Sequence, residues 1–481
     1  MPPRTLNFTL DPASTEPIYR QIARAISDEI RRGRFRPGDA LPGYRTLAEE
    51  LGVSRNTAMA AYRELQTQGL IDGAAGSGTR VAAELPPASA SMAIALPSLG
   101  FDLHRGAGPS EAAWDRNLLQ VASGNPDPRL LPGDALAQAY RRALTVNVKS
   151  TLTADDPGGN PRLRAAIAAL LSSAHGVPST PEQVLVTRGT QLPLSLVAQV
   201  LLAPGDAVAV EALGARSAWE AFARAGARCV PVPVDAEGLD VETLDRLAAT
   251  EGLRAVLVTP RRQYPTLAPL SPTRRARLLA LAAERRLAVL ESDLDGEFQF
   301  DGPALPPLAA EDRGGVVIYL SALSKVFSPG LRLGFVHGPA PFLAALRAAR
   351  IAHDRHGDPV LERAMAELVE DGELQRHLNK MHQAYRHRRD LLCGALRREL
   401  GEAVEAVPPP GGLALWVKVR DGVDVDAWSR RALEHGVAFQ AGRQFAFDGE
   451  PVQGLRMGFS GADDGELIEA ARRMRAALGA G

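Results

Sequence analysis

Cysteine is scarce: Cys229 and Cys393 are the two in 481 residues, they lie far apart, and neither belongs to a Cys-x-x-Cys or Cys/His grouping. That excludes a disulfide scaffold and a structural zinc site, predicts no metal centre, and fits a reducing, cytoplasmic setting. Long apolar runs are missing too. None approaches the roughly 18 residues needed to span a bilayer, and Met1 to Arg4 lead into no signal-like apolar stretch, so neither export nor membrane insertion is expected. Charge is balanced at 55 Lys+Arg against 56 Asp+Glu, so any grip on DNA must be local. Lysine is rare among the basic residues. Only Lys149, Lys325, Lys380 and Lys418 can supply a primary amine.

What remains is globular in composition, with 45% hydrophobic and 23% charged residues. The length exceeds what one core usually organises, so a small and a large domain are expected. Residues 16 to 81 read as the small one. Ile18, Ile22, Ile26 and Ile30 recur every four residues and give a helix with one apolar stripe, stopped by Gly33 and the Arg36-Pro37-Gly38 turn. A short helix follows over about 44–51, then a tight turn at Gly52 and Val53. Ser54 is placed to cap a third helix whose inner face is Ala58, Ala61, Tyr62 and Leu65. Arg55, Asn56 and Thr57 begin its other face, where a recognition helix meets base edges and phosphates. After Gly69, the glycine-rich stretch from Gly73 to Gly78 reads as a hairpin wing.

From Ala82 to about Ser110 the chain is rich in Ala, Pro, Ser and Gly and keeps no period, as a linker does. Beyond it, apolar β-rich runs at 184–187, 207–211, 229–234, 255–260, 287–293, 316–320 and 331–336 alternate with helical stretches. Such alternation implies a largely parallel sheet covered on both faces, with ligands at the carboxyl ends of its strands. From about Gly372 a long helix, a strand over 413–419 and two further helices predict a smaller subdomain closing over the sheet.

The expected strand ends carry chemistry. Ser321, Ser324 and Lys325 follow one buried run, and Arg332 comes seven residues after the lysine. Burial there lowers a lysine's pKa and frees its amine for an aldehyde, while Arg332 can hold a phosphate; together they suit pyridoxal 5'-phosphate. Gly189, Thr190 and Gln191 end another strand and open a helix, where free amides favour an anion. Alone, each of these signals is weak.

Two resemblances tie them together. Pro17-Ile18-Tyr19, Pro37-Gly38, Leu41-Pro42, Arg45, Leu47-Ala48, the run from Leu51 to Arg55, Thr57 and the closing Gly76-Ser77-Gly78-Thr79 closely resemble the winged helix-turn-helix of the GntR family. That likeness implies double-stranded DNA as partner, with Arg45, Ser54, Arg55, Asn56 and Thr57 at the contact and Gly78 letting the wing backbone approach. From about residue 120 onward, Pro260 to Thr266, Asp295 to Phe298, the Lys325 and Arg332 phrase and Leu455-Arg456 resemble fold-type I aminotransferases. The fusion is that of the MocR-type transcription regulators. The resemblance implies a winged helix-turn-helix over 12–82, a flexible linker over 83–115 and an α/β aminotransferase-like domain with a small C-terminal subdomain over 116–481. It also implies pyridoxal 5'-phosphate held by Lys325, Arg332, Gly189, Thr190, Gln191, Gln263 and Ser324. In that frame Lys325 forms the Schiff base, Gln263 lies near the cofactor's 3'-oxygen, and Arg456 binds a substrate or effector carboxylate.

The chain also departs from that pattern. Ser292 stands where an aspartate pairs with the pyridine nitrogen, and a serine cannot stabilise a pyridinium. Strand alternation turns Asp293 to the other face unless a bulge intervenes. Leu294, Ala215, Ala154 and Arg262 replace a tyrosine, an aromatic, a second tyrosine and a histidine. The expected protein is therefore a homodimeric regulator whose large domain senses the cofactor, an amine or an amino acid with little turnover. Two alternatives stay open: a working aminotransferase with a DNA-binding head, and a cofactor-free scaffold that holds another anion through Arg332 and Arg262.

Overall fold

The computed structural model describes residue 10 and residues 16–74, 78–83, 85, 118–146, 148–153 and 156–479. Two compact units divide the chain, one up to Ala112 and one from Ala113 onward. Nearly all of the linker expected over 83–115, and the substituted position Ala154, lie outside the described residues.

In the first unit the fourfold isoleucine spacing forms helix α1 (Ile18–Arg31), with Ile22, Ile26 and Ile30 buried. Each such side chain contributes about 1.5–3 kcal/mol by leaving water. Helix α2 (Tyr44–Leu51) ends on Gly52 at φ +64°, a left-handed cap that glycine adopts without strain. Helix α3 (Arg55–Thr67) is capped by Ser54, whose hydroxyl accepts from the Thr57 amide at 3.1 Å. Ala58, Ala61, Tyr62 and Leu65 face inward, and the Tyr62 hydroxyl donates to the Pro42 carbonyl at 2.6 Å. Strands β1 (Ile71–Ala74) and β2 (Gly78–Val81) pair antiparallel as the wing.

The second unit starts with the short strand β3 (Leu119–Gln120), followed by helices α4 (Gly133–Thr145), α5 (Val148–Leu152) and α6 (Pro161–Ala174). Its main sheet uses β4 (Val184–Arg188), β5 (Ala207–Glu211), β6 (Arg228–Val232), β9 (Leu253–Val258), β10 (Ala288–Ser292), β11 (Val317–Ser321) and β12 (Leu333–His337). A small hairpin, β7 (Val234–Asp235) and β8 (Gly238–Leu239), interrupts that series. The sheet order is β4-β12-β11-β10-β9-β5-β6. Neighbours from β11 to β6 run parallel, whereas β12 is antiparallel to both β11 and β4. Inner strands such as β5 are buried from end to end, as a sheet covered on both faces requires.

The C-terminal subdomain combines the long helix Glu373–Leu400 with strands β13 (Val404–Glu405), β14 (Ala414–Val419), β16 (Gln440–Ala441) and β17 (Gly454–Gly458) in the order β13-β14-β17-β16. Strand β15 (Val437–Ala438) pairs parallel with β3. The start of this unit is thus stitched to its end. No helix among the described residues is long and apolar enough to cross a membrane.

Candidate cofactor and effector site

The parallel strands end at a cavity of about 270 Å³, at the small end for ligand pockets and roomy enough for one six-membered ring with its substituents. Ser292 ends β10, Thr259 follows β9, Glu211 ends β5 and Lys325 follows β11, all in its wall. The helix α7 (Gln191–Leu201) brings Thr190 and Gln191 to it, and β17 brings Arg456.

Lys325 is half-buried in a single helical turn and donates to Asn125 Oδ1 at 2.8 Å and the Gly124 carbonyl at 3.2 Å. Burial, then the positive charge of Arg456, bring its pKa down to about 8, with Asp295 pulling the other way. Arg456 is only 7% exposed, yet its Nε has no hydrogen-bond partner and its Nη1 reaches the Ala122 carbonyl at 3.4 Å. Its guanidinium lies 4.9 Å over the Tyr264 ring. A buried guanidinium with so few acceptors is suited to an anion entering the cavity.

Beside the cavity, Gly189 sits at φ +67° and its amide donates to the Arg332 carbonyl at 2.9 Å. A Cβ on Gly189 would lie 2.9 Å from the Arg332 guanidinium carbon, so only glycine lets that cation close against the turn that opens α7. Helix start and guanidinium together could cradle a phosphate. Lys325 for an aldehyde and this cradle for a phosphate fit pyridoxal 5'-phosphate. Arg332 is exposed, and Ser324 is buried beside Lys325 outside the cavity wall.

The wall at the end of β10 is different in character. Ser292 offers a hydroxyl there. Asp293 also touches the cavity, but its carboxylate is taken by Arg261 Nη1 at 2.9 Å and the Tyr319 hydroxyl at 2.8 Å. Burial opposes its charge, yet Arg261 and Tyr319 outweigh burial and hold the carboxyl below its usual range. Leu294 and Ala215 line the cavity without polar groups to offer.

Two expectations need correction. Gln263, expected beside the 3'-oxygen, is 1% exposed and lies outside the cavity wall: its amide donates to the Leu213 carbonyl in the loop after β5 and to the Tyr264 carbonyl of its own loop, each at 2.7 Å, and accepts from Thr266. Tyr264 is the residue of that loop in the cavity wall. Arg262 does line the cavity, but its guanidinium is bonded to the Asp295 and Phe298 carbonyls and Gln299 Oε1, at 2.7–3.0 Å, so it is no free anion holder. Sequence reasoning missed Asn125, Arg261 and Glu211. Glu211 is buried, accepts from the Thr259 amide and hydroxyl, and burial pushes its pKa up to about 7.

In the first unit Arg45, Arg55 and Asn56 are exposed, and Arg45 and Arg55 make no ion pair among the described residues. The Thr57 hydroxyl is 2.8 Å from Ser54 Oγ, so these two hold the start of α3. Gly78 opens β2 opposite Ala74. Among the described residues no group of His, Cys, Asp or Glu could hold a metal ion.

Comparisons with known proteins agree with this division. Residues 18–81 match the family described as bacterial regulatory proteins, gntR family, and residues 117–474 match aminotransferase class I and II. The probable rhizopine catabolism regulatory protein MocR of Rhizobium meliloti is 30% identical over 477 residues, covering 98% of this chain and 96% of that protein. The chain belongs to the MocR-type regulators. A second relative of this type, the HTH-type transcriptional regulator TauR of Rhodobacter capsulatus, is 31% identical, covering 98% of this chain and 99% of that protein. For the large unit, the crystal structure of LysN, an alpha-aminoadipate aminotransferase from Thermus thermophilus complexed with N-(5'-phosphopyridoxyl)-L-leucine, superposes with a TM-score of 0.70 at 33% identity. It covers 76% of this chain and 93% of that one. This MocR-type chain is thus a transcription regulator that joins a GntR-type DNA-binding unit to a fold-type I aminotransferase-like body, for which pyridoxal 5'-phosphate is the family expectation.

Proposed function

We propose that this regulator binds its operator through α3 and the wing, and senses pyridoxal 5'-phosphate or an amine or amino-acid effector in the cavity of the large unit, with little turnover. One observation carries the reading: a buried guanidinium with unmet hydrogen-bonding capacity, Arg456, shares a cavity with the amine of Lys325. An amino acid or a phosphorylated aldehyde has the complementary groups. When bound, pyridoxal phosphate supplies an electron-poor ring that stabilises negative charge next to an attached nitrogen. Lys325 would hold the aldehyde carbon, Gly189, Thr190, Gln191 and Arg332 the phosphate, and Arg456 the carboxylate of an effector. Ser292 leaves a ring nitrogen without an anionic partner, which favours binding over amino-group transfer.

On the DNA side, Arg45, Arg55, Asn56 and Thr57 would meet phosphates and base edges, while Gly78 lets the wing backbone close in. A homodimer is the assembly in this reading. Leu144, Val146, Val148 and Leu152, 42–57% exposed, gather in one short stretch at the end of α4 and along α5, apolar surface that a second copy would cover. The test is a titration of the intact protein with pyridoxal phosphate followed by absorbance and native mass. Binding in the wild type that is lost in Lys325→Ala and weakened in Arg332→Ala supports the reading. No mass increase and no absorbance change in the wild type would reject cofactor sensing in favour of a scaffold role.

A further inference from the structure

Lys325 is held by a single stretch of chain. Both of its hydrogen bonds go to Gly124 and Asn125. The Asn125 amide has a defined orientation, because its Nδ2 donates to Ser123 Oγ at 3.1 Å and thereby leaves Oδ1 for the lysine. Its backbone carbonyl accepts from Ser460 Oγ at 2.7 Å. The flanks are tied down as well. Val121 donates to the Ala438 carbonyl at 3.2 Å and accepts from the Gly458 amide at 2.7 Å; the Asp127 amide donates to the Tyr385 hydroxyl at 3.1 Å, and its carboxylate pairs with Arg388 at 3.0 Å. A Cβ on Gly124 would lie 3.0 Å from the Leu413 carbonyl and 3.1 Å from Arg456 Nη2, so the stretch lies close against the C-terminal subdomain. Residues 119–127 are thus tied by hydrogen bonds to that subdomain, and Lys325 reaches them from the end of β11.

Bond formation at the amine must disturb this arrangement. When a neutral lysine amine condenses with an aldehyde, its nitrogen forms a carbon–nitrogen double bond and the aldehyde oxygen departs as water with the two amine protons. The nitrogen then carries no N–H, or one if it picks up a proton. At least one of the two acceptors loses its donor. Around the amine, Asn125 Oδ1, the Gly124 carbonyl and Asp295 favour the ammonium form, whereas burial and Arg456 favour the neutral amine. We propose that Asn125 is a positioning residue that restrains the Lys325 amine and is released when that amine bonds an aldehyde, so that residues 119–127, the first described part of the body after the linker, register what the cavity holds. This rests on the proposed role of Lys325 as the aldehyde-binding group.

The test uses the full chain in two arms. In the first, which needs no cofactor, formaldehyde with cyanoborohydride methylates lysines across pH 6–9, and peptide mass spectrometry reads Lys325 against Lys149, Lys380 and Lys418 as internal references. Asn125→Leu should methylate Lys325 roughly fivefold faster than the wild type with a midpoint at lower pH, and Asn125→Asp should methylate it more slowly with a midpoint at higher pH. Wild-type behaviour in both variants would overturn the restraint. In the second arm, hydrogen exchange of residues 118–127 is followed on adding pyridoxal phosphate. Exchange should rise in the wild type, be raised already in Asn125→Leu, and not respond in Lys325→Met. Absorbance showing the cofactor joined to the wild type while exchange stays unmoved would overturn the coupling. Failure of the wild type to take up pyridoxal phosphate would instead reject the cofactor reading and leave the first arm to judge Asn125.

Discussion

At the scale of residues, the cavity is decided by what sits one position apart. Ser292 ends β10 at the cavity, and Asp293 has given its carboxylate to Arg261 and Tyr319. Replacing Ser292 by aspartate puts a carboxylate where a ring nitrogen would need one. Ser292→Asp is expected to raise amino-group transfer to pyridoxal phosphate by about tenfold or more over the wild type, measured by the absorbance change on adding an amino acid; an unchanged rate would mean that the serine is not what limits turnover. Glu211 makes a second prediction. Its folded pKa, about 7, lies above its ordinary value, so the stabilising preference for the protonated form is fully present below about 4.5 and is lost as pH rises through 7. Glu211→Gln should therefore gain on the wild type in thermal stability between pH 5 and 8, by up to roughly 3 kcal/mol. Lys325, Arg456 and Ser292 were legible because a strand end and a short motif fix their place. Gln263 was misplaced because its loop has no period from which orientation can be read, and Asn125 was invisible because its lysine partner is 200 residues away.

At the scale of elements, helices with clear periods were the readable part. The isoleucine stripe of α1, the Ser54 cap of α3 and the alternation of strands and helices all follow from residue spacing. The reversed direction of β12 does not, because an apolar run such as 331–336 has no marker of strand polarity. The turn between β4 and α7 is legible through Gly189, whose positive φ and close guanidinium neighbour leave no room for a side chain. Gly189→Ala should cost about 1–3 kcal/mol of stability and displace Arg332, weakening pyridoxal phosphate binding by about tenfold in an absorbance titration. Binding equal to the wild type would remove the phosphate cradle from the account.

At the scale of the molecule, two units that match different families share one chain, and the regulatory reading needs two copies of that chain to act as a pair. The apolar stretch at the end of α4 and along α5 is exposed in a single copy. A Leu144→Glu, Val146→Glu double variant should shift the protein from dimer to monomer in sedimentation velocity; a monomeric wild type would contradict the assembly. The balanced net charge fits a local grip, so binding should depend on a few named arginines, with Arg55→Ala lowering the salt slope by about one. The most direct measurement is the affinity for DNA from upstream of the protein's own gene, taken across salt concentrations with and without pyridoxal phosphate. We expect a sequence-selective, salt-steep complex whose affinity responds to pyridoxal phosphate in the wild type and not in Lys325→Ala. Absence of selective binding, or an affinity that ignores pyridoxal phosphate in both proteins, would contradict the account.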